Sequence, residues 1–401
     1  MKAESPYAYV RLVAALAIMV IGGTGMYSAV LLIKPAALEF GVGRASGTYP
    51  YIAAMIGVGV GGIVMGRLAD RIGVMVPALI GGLSLAIGFY LASQAQSIFT
   101  LAASMGFFVG FFGQATSYVP MVADTTHWFV RRRGLAVGIV ISGSYLAGVV
   151  WPPIFQSYFD AIGWRATLEG LALFCLIATP LLATLLWPRA PLDDPANGDQ
   201  TSTFPQRPLG INRATLQALL CAAGVGCCLA MATPQVHIVA HASDLGYAAA
   251  RGAEMLSLML AGGVISRLIS GWISDHLGGL RTLFLGSTLQ MCALLVFIPI
   301  HSLVGLYAAS LLFGLSQGGI VPSYTLIIRR FFPAKQAGGR IGAVYMFTMC
   351  GMAAGGWIAG AIFDITGGYA TAFAFGAAVN LLHLALAWRL LRRDGAAPAA
   401  A

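Results

Sequence analysis

Charge is what this sequence has least of. Of its 401 residues, 9% are Asp, Glu, Lys or Arg, against roughly a quarter in soluble globular chains. That shortage excludes an ordinary water-soluble domain, whose surface would need it. Acidic residues are scarcest, 14 in all, and there are six cysteines. Cys175, Cys221, Cys227, Cys228, Cys292 and Cys350 follow no metal-ligand spacing and read as small apolar groups inside helices. A P-loop, a nucleophile elbow and a metal-ligand cluster are also missing. An enzyme is therefore not expected, nor any cofactor or metal.

Apolar sequence fills the chain instead: 58% of residues are hydrophobic and the mean hydropathy is +0.83. Runs of about 20 apolar residues suffice to cross a hydrocarbon core of ~30 Å. Twelve recur, near 9–33, 48–67, 74–95, 98–123, 134–158, 166–187, 213–236, 250–273, 281–300, 303–327, 337–362 and 369–391. The 51 glycines suit closely packed membrane helices. The expected fold class is an all-α polytopic membrane protein. Lys2 and Arg11 ahead of the first apolar run resemble a signal peptide, but eleven further spans and no cleavage pattern favour a retained first helix.

A net charge of +9 could suggest nucleic acid; its distribution argues otherwise. With both termini cytoplasmic, 18 of the 23 Lys and Arg fall on cytoplasmic loops, tails or helix ends, among them Arg67, Arg71, Arg131, Arg132, Arg133, Arg329, Arg330 and Lys335. Lys34, Arg44, Arg165 and Arg251 fall outside, and Arg267 alone falls within a span. The positive-inside rule thus predicts both ends in the cytoplasm, and the expected location is the cell inner (plasma) membrane, crossed many times.

The most polar segment, "WPRAPLDDPANGDQTSTFPQRPLGINR", covers residues 187–213 and reads as a linker. It predicts an N-terminal six-helix bundle over 1–187, a cytoplasmic linker over 188–212 and a C-terminal six-helix bundle over 213–401. The halves repeat each other. "GRLADRIG" (66–73) matches "GWISDHLG" (271–278), "WFVRRRGLAVG" (128–138) matches "FFPAKQAGGRIG" (331–342), and "YFDAIGW" (158–164) matches "IFDITGG" (362–368), at offsets near 205. Parallel repeats of this kind, with a substrate site near the midplane between them, characterise one large transporter architecture.

"GRLADRIG" with its second copy resembles the loop signature of the major facilitator superfamily, and the resemblance covers essentially the whole chain. It implies twelve transmembrane helices in two pseudo-symmetric bundles. Gly66, Asp70, Arg71, Gly73 and Asp275 then belong to a gating and topology element at cytoplasmic helix ends. "HWFVRRRGLAVGIVISGSYLAG" (127–148) is similar to the helix 4–5 junction of the monocarboxylate transporter family and its bacterial oxalate:formate antiporter relatives.

Arg267 carries the chemistry. It lies thirteen residues after Glu254 and eight before Asp275, about 20 and 12 Å of helix, too deep to reach either surface easily. A guanidinium there costs roughly 3 kcal/mol and calls for a partner. A substrate carboxylate matches its planar fork. The resemblance likewise places a carboxylate-binding arginine in helix 8. It also points to Tyr27 and Tyr118 as aromatic site positions; Ser144, Met346, Thr348 and Met349 are lining candidates by position alone. The oxalate branch has a second cation in helix 11, where this chain has Thr348 or Met349. One buried cation suits a monoanion better than a dianion. The animal carriers' helix 1 lysine and helix 8 aspartate correspond to Tyr27 and Gly263.

Arginine cannot carry a proton, so a cotransported proton needs another group. His237, near the outer end of helix 7, is the titratable candidate, with His241 four residues on; His383 reads as structural. The expectation is a monomeric secondary transporter of lactate- or pyruvate-like monocarboxylates, proton-coupled, working by alternating access as the halves rock. Its partners are a small organic anion, a proton and the lipid bilayer. The alternatives are an oxalate:formate-like anion exchanger and a drug- or siderophore-type transporter.

Overall fold

A computed structural model describes residues 5–129, 133–187 and 208–396. Arg131 and Arg132 and most of the linker lie outside the described residues, as do the side chains of Asp70, Arg133 and Lys335. The described chain is helical throughout, with no strand. Eleven helices are long and apolar enough to cross a membrane, and one of these, Leu135–Thr184, is about 75 Å of helix, more than twice a hydrocarbon core. It cannot cross once. At Gly163 the backbone takes φ 81°, ψ 159°, a conformation closed to most side chains, and the helix breaks there into two spans.

The twelve spans are α1 (Pro6–Glu39), α2 (Tyr49–Ile72), α3 (Met75–Ser93), α4 (Ile98–Thr125), α5 (133–162) and α6 (164–184), followed by α7 (Arg213–Asp244), α8 (Ala249–Leu277), α9 (Gly279–Phe297), α10 (Leu303–Phe331), α11 (Ala334–Thr366) and α12 (Ala370–Ala396). The chain divides into two compact units, Met1–Asp199 with Ala248–Ser257, and Gln200–Tyr247 with Leu258–Ala401. Sequence signals set the helix starts. Ser97 and Thr100 form a capping box, and the Asn212 side chain accepts the Thr215 backbone N–H at 2.6 Å.

The repeat seen in the sequence returns in the backbone. Glycines with positive φ pair up as Gly41 with Gly246, Gly73 with Gly278, and Gly163 with Gly367, at offsets of 205, 205 and 204. Helix packing follows the same offset. In the first unit a Cβ on Gly57 of α2 would stand 2.3 Å from the Gly106 carbonyl of α4. In the second, a Cβ on Gly262 of α8 would meet the Leu311 carbonyl of α10 at 3.1 Å. Small residues let these backbones touch where no water competes. One difference is local: Ser104–Gln114 of α4 winds as a π-helix, whose wider turns carry Gly106, Gly110 and Gly113 against α2 and α3.

Candidate functional site

Arg267 sits on α8 where that helix crosses α10. A Cβ on Gly318 would lie 2.3 Å from the Gly263 carbonyl and 2.7 Å from the Arg267 backbone nitrogen, so the two helices meet backbone to backbone at this level. One turn on, Gly319 lies under Ser270 in the same manner. The guanidinium is half-buried, and its Nε donates to the Gly318 carbonyl at 3.4 Å. On another side of α8, Ile265, Leu268, Ile269 and Trp272 are exposed, 50–66%, forming the apolar strip of a membrane helix. The face of Gly263 and Ser270 is therefore a packing seam that fixes where Arg267 stands.

In the first unit the structure brings Tyr27 and Ser144 together. Tyr27 is 3% exposed and donates its hydroxyl to the Ser144 carbonyl at 3.2 Å, while Ser144 Oγ turns back to Ile141 O at 2.9 Å. Tyr118, half-buried, packs on an apolar core that includes Met19, Met121, Trp128 and Val140. In the second unit Thr348 is fully buried, donates to Tyr345 O at 2.6 Å and presses its methyl toward Gly224 of α7. Met346 and Met349 beside it are half-buried.

His237 is fully buried in the second unit. Its Nε2 lies 2.7 Å from the Gly356 carbonyl of α11, and its Nδ1 lies 3.1 Å from the Tyr369 hydroxyl. A neutral ring with the proton on Nε2 satisfies both contacts, Nε2 donating to the carbonyl and Nδ1 accepting from the phenol. His241 stacks edge-on to Tyr369 and Phe373. His383 is buried, with Nε2 3.1 Å from the Tyr324 hydroxyl. All six cysteines are free thiols; Cys227 accepts a hydrogen bond from Tyr324 at 3.3 Å, and Cys292 and Cys350 are exposed.

Of the loop motif, Gly66 lies against Val119 of α4, Gly73 ends α2 at φ 89°, and Arg71 and Asp275 are exposed. Asp275 pairs with no cation among the described residues.

Two residues escaped the sequence reading. Asp124 falls just past the predicted fourth span, and Arg11 was counted among cytoplasmic helix ends. They form a two-toothed ion pair, Nε to Oδ2 at 2.7 Å and Nη2 to Oδ1 at 2.8 Å, with side-chain exposures of 3% and 11%. The signal available was a lone carboxylate and a lone cation, each near a span end in a chain poor in both.

Twelve apolar spans in two repeated units, helices crossing at glycines, define a polytopic helical transporter fold. Comparison with known proteins agrees. The family model of the Major Facilitator Superfamily matches residues 13–322 and 218–401, and the chain belongs to that superfamily. It is a membrane transporter, and its family is one of transporters rather than enzymes. The chain is 28% identical to monocarboxylate transporter 13 of Bos taurus, covering 88% of this chain and 86% of that one. It is also 28% identical to human monocarboxylate transporter 11, over 76% and 66% of the two chains. A fungal relative, the MFS-type transporter pynF of Aspergillus niger, is 26% identical over 76% and 69%. Among solved structures, an inward-facing, occupied bacterial homolog of the human lysosomal transporter Spinster superposes with a TM-score of 0.69 at 13% identity, over 98% and 96% of the chains. That likeness concerns the fold.

Proposed function

We propose that this chain is a secondary active transporter of small organic monocarboxylate anions, lactate- or pyruvate-like, coupled to a proton and working by alternating access. Arg267 binds the carboxylate. The observation that carries the reading is the position of this guanidinium: half-buried, inside a membrane-crossing helix, on a backbone held by the Gly263–Gly318 contact. A planar fork held that firmly can take both oxygens of a carboxylate at once. The monocarboxylate transporters among its relatives support the substrate class.

Tyr27, Tyr118, Ser144, Thr348 and Met349 are proposed to line the path. Tyr118 and Met349, half-buried, are better placed for this than Thr348, whose hydroxyl and methyl are both engaged within its own unit. His237 is the proposed titratable partner in the second unit. Gly66, Asp70, Arg71, Gly73 and Asp275 act in gating. The protein works as a monomer in the cell inner membrane, both termini in the cytoplasm, as halves 1–187 and 213–401 with a linker at 188–212.

The test is uptake of labelled lactate into proteoliposomes with the interior alkaline, wild type against Arg267→Gln, with pyruvate, acetate, benzoate and oxalate as competitors. Uptake in wild type that is lost in the variant, and competition by the monoanions but not oxalate, is the expected result. Folded wild type that moves none of these acids would overturn the substrate class.

A further inference from the structure

Arg11 and Asp124 are not among the residues assigned above to the carboxylate, although one of those, Tyr118, packs on the same apolar core as Trp128. Arg11 also stacks on Trp128, 4.8 Å from guanidinium carbon to ring centroid. Trp128 is 1% exposed and belongs to an apolar core with Ala8, Leu12, Met121 and Ala136. Of the titratable groups here, α1 brings Arg11 and Tyr7, and the helix of Asp124 brings His127. α3, α5 and α6 contribute the apolar Val74, Ala136 and Leu186 to this core. Tyr7 gives its hydroxyl to Leu185 O at 2.6 Å, and His127 is exposed. Arg11 is the cation whose guanidinium the Asp124 carboxylate meets with both oxygens.

Stability alone does not explain such a pair, since well-packed apolar residues of similar volume do as well or better. Its two members also differ in kind. A guanidinium keeps its charge at any pH a cell meets, whereas a carboxylate can lose its charge by taking a proton. While both oxygens accept from Arg11, the carboxylate is ionised. A carboxylate left in apolar surroundings without a cation is costly, and taking a proton removes that cost.

We propose that Asp124 is a proton-carrying site of this transporter, loaded when the Arg11 guanidinium turns away from its carboxylate and emptied when Arg11 rejoins it. The inference rests on the proton-linked reading above and adds a carboxylate station in the first unit, separate from Arg267 and His237. In the step itself, one proton from water bonds to an Asp124 carboxylate oxygen, and Arg11 keeps its charge and its stack on Trp128. On the return, that O–H bond breaks, the proton leaves to water, and the two guanidinium hydrogen bonds re-form. One proton moves per cycle.

The experiment uses the full chain in proteoliposomes with labelled lactate and two assays. Exchange of internal for external lactate at equal pH needs no net proton movement. Accumulation under a pH step of about one unit has a driving force of about 1.4 kcal/mol per proton, a concentration ratio of about tenfold. Asp124→Asn, fixed as a mimic of the loaded state, is expected to keep exchange while its accumulation ratio falls to about one, that tenfold ratio being lost. Should the single variant fail to fold, Arg11→Gln/Asp124→Asn removes both charges, leaves none buried alone, and must show the same split. An undiminished accumulation ratio in either variant overturns the proposal.

A readout independent of substrate separates its failure from that of the monocarboxylate reading. Infrared difference spectra of the protein in lipid, acid minus alkaline, should contain a protonated-carboxyl band that Asp124→Asn lacks. Its presence supports the site even if lactate is not carried; no Asp124-dependent band overturns it even if lactate is.

Discussion

Where the first unit ties α1 to α4 through Arg11 and Asp124, and α1 to α6 through Glu39 and Arg165, the interior of the second is tied by uncharged acceptors and donors. Arg165 reaches Glu39 at 2.6 Å and the carbonyls of Ser93 and Ala95. Its counterpart at the 204 offset is Tyr369, which meets His237. Gln290 donates to Cys227 O at 3.1 Å, Asn380 to Ser287 O at 2.8 Å, and Tyr324 bridges Cys227 and His383. Yet the paired glycines that turn the loops and let helices touch recur at one offset in both units. Duplication has kept what the backbone cannot do without, a missing Cβ under a carbonyl. It has let the side-chain ties diverge: a buried ion pair joins two helices of the first unit, and uncharged hydrogen bonds join those of the second, where Arg267 is the half-buried charge.

The sharpest way to break that contrast is Arg11→Leu. It leaves the Asp124 carboxylate buried without its cation and should cost about 3–5 kcal/mol, read as a large fall in thermal stability of the purified protein. Arg11→Leu/Asp124→Leu should recover most of the loss. If the single and double variants melt alike, the pair is not what holds α1 to α4.

Next in size, Gly57→Ala and Gly314→Ala probe the glycine crossings of the two units, α2 on α4 and α8 on α10, at positions that are not repeat counterparts. Their added Cβ atoms would stand 2.3 Å from Gly106 O and 1.9 Å from Met259 O. Each should destabilise by about 1–3 kcal/mol through overpacking, and by similar amounts. A harmless Gly57→Ala beside a damaging Gly314→Ala would mean that the π-helical α4 yields where α10 does not.

Smallest, and opposite in sign, is Gln317→Leu. Gln317 is fully buried, and neither atom of its amide meets a partner among the described residues. An apolar side chain of similar volume should raise stability by about 1–2 kcal/mol. A loss measured in the same melting assay would show that this amide has a partner in the membrane.

The spans, their number, the repeat and an interruption between 158 and 166 were legible in sequence, because hydropathy is a local signal that the bilayer makes strict; that Gly163 alone makes the turn was not. Arg267 was legible for the same reason, as a costly residue in an apolar run. Its neighbours were only half legible: the small face of α8 could not announce that α10 packs there, nor Thr348 that its methyl faces Gly224. Arg11 and Asp124 were missed because they stand 113 residues apart and each, taken alone, looks like an ordinary charge at a membrane surface. The π-helical turns of α4 had no signal beyond an abundance of glycine and phenylalanine.

The bend at Gly163 has a bearing on how the chain is made. Between the ends of α5 and α6 there is no loop, only one residue that changes direction, with Asp160 and Arg165 beside it. Neither span can be released into lipid at leisure while the other is still being synthesised. So tight a turn favours their entry into the bilayer together, as one hairpin.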